Sequence, residues 1–380
     1  MRKYSLLLAT LIVLAVVPTD MAAKTELQTA LEQAQKQLAP DKRTAIWDVS
    51  TIDQGGRPVV IGTVGTQAQK DQLDKVLSRF DGVTDNVVVL ENSMPAGKRW
   101  AIVKLAVASL RCTPQHSGEM ATQAVMGTPV KVLEVNGEWC RVQTPDDYIS
   151  YVPESSITYM NSKQLVGWRQ SKRMIVTCYG TRLVTEPSGD ETVSDLVLSS
   201  ILEKRGEKGK WVKLATPDGR EGWVEKKDVE EFDQWAKQTY DADYLEKVAR
   251  RMMGSGYLWG GTSTKVTDCS GLMKVCHLAN GIILQRDASQ QALTGKKIDD
   301  WHQAKLGDLL FFGNSKTGRV THVGMYLRDG AFIHCSGQVK INNLDPNASD
   351  YLYSPLSISR IDGQIGTKGI TYVRDHPWYF

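Results

Sequence analysis

Hydrophobic and polar positions change rhythm several times along the chain, and each change marks a boundary. From Thr25 to Leu38, the residues Leu27, Ala30, Leu31, Ala34 and Leu38 recur at helical spacing, and Pro40 closes the run. "AIWDVSTID", "RPVVIGTVG" and "NVVVLEN" then read as short strands, with a helix over "AQKDQLDKVLSRF" ahead of the last. This predicts a small α+β module over 24–98. A repeat follows: "GEWCRVQTPDDYISYV" and "GKWVKLATPDGREGWV" align without a gap at an offset of 72, pairing Trp139 with Trp211 and Val152 with Val224. Each copy reads as a strand, a Pro-Asp turn and a second strand, preceded by another apolar run, "MGTPVKVLEV" or "DLVLSSILEK". Two small antiparallel barrels are predicted, over 99–165 and 170–231. From Phe232 to Met253 the spacing of Trp235, Tyr240, Tyr244, Val248 and Met252 is helical, and Gly254-Ser255-Gly256 ends it. The last domain, 232–380, also carries a helix over "CSGLMKVCHLA" and three successive strands over "GDLLFFG", "THVGMYLRDG" and "AFIHCSG". The expected fold is multidomain α+β.

The N-terminus sets the compartment. Arg2 and Lys3 precede an apolar run from Leu6 to Val17, followed by Ala22 and Ala23, which reads as a secretory signal peptide over 1–23. An uncleaved anchor is the alternative. The run falls short of the ~20 residues that span a bilayer and no later segment qualifies, so an exported chain without a transmembrane segment, periplasmic or extracellular, is expected. With 46 basic against 43 acidic residues, interspersed, nothing argues for nucleic acid as a partner. Six cysteines, the first at Cys112, do not make a disulfide framework, though they leave room for one bridge such as Cys112 to Cys140.

Candidate chemistry gathers in the last domain. Cys269 stands at a helix start, behind Asp268 or Thr267 as a cap, where free backbone N–H groups and the helix dipole favour a thiolate and a lowered pKa. Cys276, two turns on, lacks that help and reads as a small core residue. Alternation along the strands puts His322, Gly324 and Tyr326 on one face, and His334 with Phe332, so both imidazoles can face the same side. Nucleophile, base and orienting group would then stand in line.

The motifs "YLWGGTS", "DCSGL", "GIILQRDASQQ", "LGDLLFFG", "THVGMYL" and "FIHCSG" resemble the NlpC-type family of papain-like cysteine peptidases in their order, from Gly254 to His376. The resemblance implies a papain-like core and the roles of nucleophile for Cys269, base for His322 and third polar residue for His334. It implies no cofactor. The repeat resembles bacterial SH3-like domains, and residues 24–98 resemble the BON-like fold. Members of this family with two such barrels cleave cell-wall stem peptides between γ-D-glutamate and lysine or diaminopimelate, in turnover or recycling, and the first barrel restricts the cleft to a free N-terminal L-alanine. The resemblance therefore implies a peptidoglycan stem peptide, L-Ala-γ-D-Glu-diamino acid, as the partner, with Tyr257, Asp268, Ser270 and Asp287 lining its site and Asp287 holding the ammonium. Tyr148 joins them because its repeat partner is Arg220, a change that a purely structural position would not make. Glu119 is a weaker candidate for a second ammonium partner, and ordinary barrel surface is the alternative for both.

Three other readings compete. A zinc site could draw on Cys269, Cys276, His277, His322, His334 and Cys335, but the short paired ligand spacings are missing, so no metal is expected. A wall-binding scaffold with a degenerate peptidase domain would be expected to lose one of Cys269, His322 or His334. A thiol acyltransferase or amidase on another substrate would keep all three.

Overall fold

The computed structural model describes residues 18–352 and 354–380. The charged start and apolar run of the expected leader lie outside the described residues, and among those described no helix is long and apolar enough to cross a membrane. Two compact units result, one ending at Asn92 and one spanning Ser93–Phe380.

In the first unit the opening helix runs Pro18–Leu38, longer than its apolar spacing alone marks. Strands Trp47–Gln54 and Arg57–Val64 form an antiparallel hairpin, and helix Gln67–Leu77 carries the chain over to Thr84–Val89, which pairs parallel to the second strand. Thr66 and Gln69 close a reciprocal capping box on that helix. Leu27, Leu31 and Ala34 pack with Leu73, Val60, Val64 and Val87 into one core.

The second unit opens with two seven-stranded sheets, between Trp100 and Met160 and between Arg173 and Glu231. Counted from its own first strand, each sheet has the order 7-1-4-5-6-2-3, so the repeat read from sixteen residues extends to the whole topology. Thr144 Oγ1 donates to Asp146 at 2.6 Å in one turn and Thr216 Oγ1 to Asp218 at 2.6 Å in the other. Each sheet encloses its own core, Leu110, Val130, Val142 and Val152 in the first and Leu183, Leu202, Leu214 and Val224 in the second. The two apolar runs upstream are each interrupted by a turn, at Gly127 (φ 85°) and Ser199 (φ 69°).

The helical pattern over 232–253 breaks in two. Phe232–Trp235 forms one turn, and Ala242–Arg251 starts afresh where the Asp241 carboxylate accepts from the Tyr244 amide. A side-chain cap at Asp241 outweighs the continuing apolar spacing. Helix Cys269–Ala279 is buried along most of its length against strands Leu309–Asn314, Arg319–Tyr326 and Ala331–Ser336, through Leu272, Cys276, Phe311, Val323 and Ile333. These strands are the centre of a six-stranded sheet that Gln338–Asn343, Ser357–Arg360 and Lys296–Ile298 complete. All six cysteines are free thiols, so the room left for a Cys112–Cys140 bridge is not used, and the Cys140 sulfur lies 3.2 Å from the Tyr159 hydroxyl instead.

Candidate active site

Cys269 is the first residue of its helix. The cap is Asp268, not Thr267: its Oδ1 accepts from the Gly271 amide at 2.7 Å. The second carboxylate oxygen accepts from the Gly260 amide at 2.9 Å, tying the Gly-Gly loop to the same residue. Arg286 completes the arrangement, with Nη2 2.5 Å from Asp268 Oδ2 and Nη1 donating to the Ser270 hydroxyl at 2.9 Å. Arg286 is only 1 % exposed, so this is a buried, hydrogen-bonded ion pair directly behind the sulfur.

The lowered thiol pKa expected of a helix start is not what the surroundings produce. Burial, then the Asp268 carboxylate, push Cys269 up to about 11, although the amides of Val323 and Ser270 favour the thiolate. A buried sulfur loses more from desolvation than the first helical turn returns. The Val323 amide also shows where the sulfur lies, against the strand position that follows His322. A β-bulge between Phe312 and Gly313, opposite His322 and Val320, bends the sheet beside that histidine.

The two imidazoles meet as the alternation of the strands predicts. Gly324 pairs with His334 across the hairpin, and His322 Nε2 lies 2.7 Å from His334 Nδ1. The hairpin turns at Asp329 and Gly330, both at positive φ (53° and 79°), as a tight two-residue turn that follows the strand twist requires. Burial first and then His334 pull His322 down to about 4, and burial also lowers His334. Burial thus disfavours the charged form of the thiol and of both imidazoles alike. Beyond His334 stands Asn342, whose Oδ1 is 2.8 Å from His334 Nε2. Neither Asn342 nor Arg286 was singled out from the sequence. Asn342 lies on the strand that follows His334, and its only signal is the period-two match with Lys340, which pairs with His334.

The remaining expected residues fall into two groups. Tyr257 is half-buried, its phenol pushed up by burial and then by Cys269 and Asp268 close by. Asp268 and Ser270 are buried, with their polar atoms already engaged by Arg286 and the helix start. Across the cleft the Tyr148 hydroxyl donates to Asp287 Oδ2 at 3.1 Å, joining the first barrel to the peptidase domain. Glu119 is exposed, and its main-chain oxygen accepts from the Cys112 amide. Burial, then the carboxylates of Glu119 and Asp287, raise the Cys112 thiol, so both carboxylates act on one point. Among the described residues no three His, Cys, Asp or Glu side chains gather as metal ligands.

The first barrel meets the peptidase domain at further places, among them Gln123 Oε1, which accepts from the Thr262 amide and the Ser263 hydroxyl, each at 2.9 Å. Lys274, on the helix that begins at Cys269, reaches Asp146 of the Thr-Pro-Asp turn at 2.6 Å. Gly260 (φ 82°) runs so close to the barrel that a Cβ there would stand 2.4 Å from the Met120 carbonyl oxygen, which explains why that position is glycine.

Comparison with known proteins agrees with this geometry. Residues 254–356 match the model of the NlpC/P60 family, and residues 110–157 match that of the bacterial dipeptidyl-peptidase Sh3 domain. The gamma-D-glutamyl-L-lysine dipeptidyl-peptidase of Bacillus subtilis is 31% identical over 222 residues, which cover 56% of this chain and 71% of that one. Its Bacillus cereus counterpart is 29% identical over 229 residues, 58% of this chain and 68% of the relative. A crystal structure of an NlpC/P60 family protein from Bacillus cereus shares the fold, with a TM-score of 0.62 at 24% identity, over 69% of this chain and 99% of that one. The cysteine at a capped helix start, the facing histidine pair and these relatives lead to one conclusion: the chain is a cysteine peptidase and belongs to the NlpC/P60 family.

Proposed function

We propose that the protein hydrolyses the bond between γ-D-glutamate and L-lysine or diaminopimelate in peptidoglycan stem peptides that carry a free N-terminal L-alanine, releasing L-Ala-γ-D-Glu outside the cytoplasm. The observation that carries this reading is the Tyr148–Asp287 contact, which joins the first barrel to a carboxylate of the peptidase domain, while the Asp287 and Glu119 carboxylates both bear on the Cys112 thiol. An N-terminal ammonium is the group such a carboxylate pair would hold. The names of the Bacillus relatives support the same bond.

In this reading His322 takes the Cys269 proton as sulfur attacks the γ-carbonyl carbon, forming a C–S bond. The oxyanion accepts from the Cys269 amide at the helix start. The tetrahedral adduct collapses as His322 returns the proton to the departing amine, leaving a thioester. Water, deprotonated by His322, attacks that thioester and releases the dipeptide and the thiol. His334 supports the charge that His322 carries in each step.

The test is a mass-spectrometric digest of L-Ala-γ-D-Glu-diaminopimelate and L-Ala-γ-D-Glu-L-Lys peptides, with and without an N-acetyl group, by wild type and Cys269→Ala. Release of L-Ala-γ-D-Glu from free-amine peptides alone, abolished in the variant, is expected. Equal cleavage of acetylated peptide would remove the ammonium requirement, and intact peptide with wild type would return the acyl-transfer reading.

A further inference from the structure

A histidine can serve as base toward Cys269 only through a ring nitrogen that carries no proton, and which nitrogen that is depends on what the other one bonds. The hydrogen bonds around His334 decide it. The Asn342 amide nitrogen donates to the Asp350 carbonyl oxygen at 2.7 Å. A main-chain carbonyl only accepts, so the amide cannot be turned over, and Asn342 Oδ1 must face His334 Nε2. That oxygen also only accepts, so His334 Nε2 bears the proton and His334 Nδ1 is bare. His334 Nδ1 in turn accepts from His322 Nε2 across 2.7 Å, which leaves the proton of neutral His322 on Nε2 and a lone pair on Nδ1. Each bond in the row permits one direction only.

We propose that Asn342, anchored by the Asp350 main-chain carbonyl, is a positioning residue that fixes the tautomers of His334 and His322 and so makes Nδ1 of His322 the base. This deepens the proposed peptidase reading and rests on it. The anchor is stiff: the Asp350 carbonyl also accepts from the Asn343 amide at 3.1 Å, and the Leu352 amide donates back to the Asn343 carbonyl. Lys340 lies on the same strand face as Asn342 and opposite His334. Its charge opposes protonation of both histidines, while Asp268 beside Cys269 favours protonation of His322. The amide contributes no charge and acts only through the direction of its bond.

The experiment uses the full chain labelled with 15N-histidine, at pH 7.5, with tautomers read from ring-nitrogen shifts, together with kinetics on the free-amine stem peptide. Wild type should show Nε2–H on both His322 and His334. Asn342→Leu, similar in size, should mix the tautomers and lower kcat roughly ten- to a hundredfold with little change in KM. Asn342→Asp should restore the Nε2–H forms and most of kcat, since a carboxylate accepts the same proton. Its added charge should move the acidic limb of kcat to higher pH. Nδ1–H on His322 in wild type, or unmixed tautomers in Asn342→Leu, would overturn the proposal. So would an Asp variant that fails to rescue kcat while keeping the wild-type tautomers. The spectra need no turnover, so loss of the substrate reading would leave this test intact.

Discussion

On the proposed mechanism Cys269, its thiol pushed up by burial, enters the reaction protonated, and that has a measurable signature. Iodoacetamide consumes thiolate, so its rate at Cys269, followed by mass spectrometry of the peptide that contains it, should climb about tenfold per pH unit through the neutral range and level off near the thiol's value of about 11. A plateau by pH 7 would reveal a resting ion pair instead. The proposed base has the opposite sign. His322 accepts a proton only while neutral, so kcat/KM should hold down to mildly acidic pH and fall as the pH drops through about 4. Sequence made Cys269, His322 and His334 readable because helix start and strand alternation are local properties. It misjudged the thiol because desolvation is set by residues distant in sequence, among them the strand bearing Val323. Asn342 escaped because its period-two spacing from Lys340 marks a strand face and says nothing of a hydrogen-bond partner.

At the level of elements, helix Cys269–Ala279 depends on one buried pair. Asp268 caps it and neutralises Arg286, and both side chains are almost wholly buried. Asp268→Ala should cost roughly 3–5 kcal/mol, because it strands the guanidinium in the interior as well as removing the cap. Asp268→Ala combined with Arg286→Met should cost less than the two single changes added together. Urea unfolding of the four proteins measures this coupling, and strict additivity would show that the pair does not act as a unit. The helix itself was plain in the sequence, from Leu272, Val275 and Ala279 on one face. The break at Asp241 was not, since Tyr240 and Tyr244 continue the apolar spacing across it while a single carboxylate stops the helix.

Across the whole molecule, the two barrels share a topology and differ where the first one meets the peptidase domain. Asp218 pairs with Arg220 inside its own turn at 3.0 Å, whereas the equivalent Asp146 reaches Lys274 and the residue equivalent to Arg220 is Tyr148. The alignment exposed Tyr148 for this reason, but nothing in it showed that Asp146, identical in both copies, had changed partners. Tyr148→Arg restores the second copy's residue and sets a cation against Asp287. It should raise KM for free-amine peptide more than tenfold and erase the preference over acetylated peptide, as measured by paired steady-state assays. Unchanged KM would remove Tyr148 from recognition.

Arg286 and Asp287 are consecutive, one bonded to the cap of the Cys269 helix and the other to the barrel's tyrosine. The span from Asp287, the proposed ammonium acceptor, to the Cys269 sulfur is therefore set by two peptide bonds and one ion pair, with no loop between to give slack. On the proposed substrate such a site works as a ruler: it measures two residues from a chain end and cuts there, whatever follows. Peptides still bearing their sugar would, on that reading, present no end to measure from, and released fragments rather than intact wall would be the material cut.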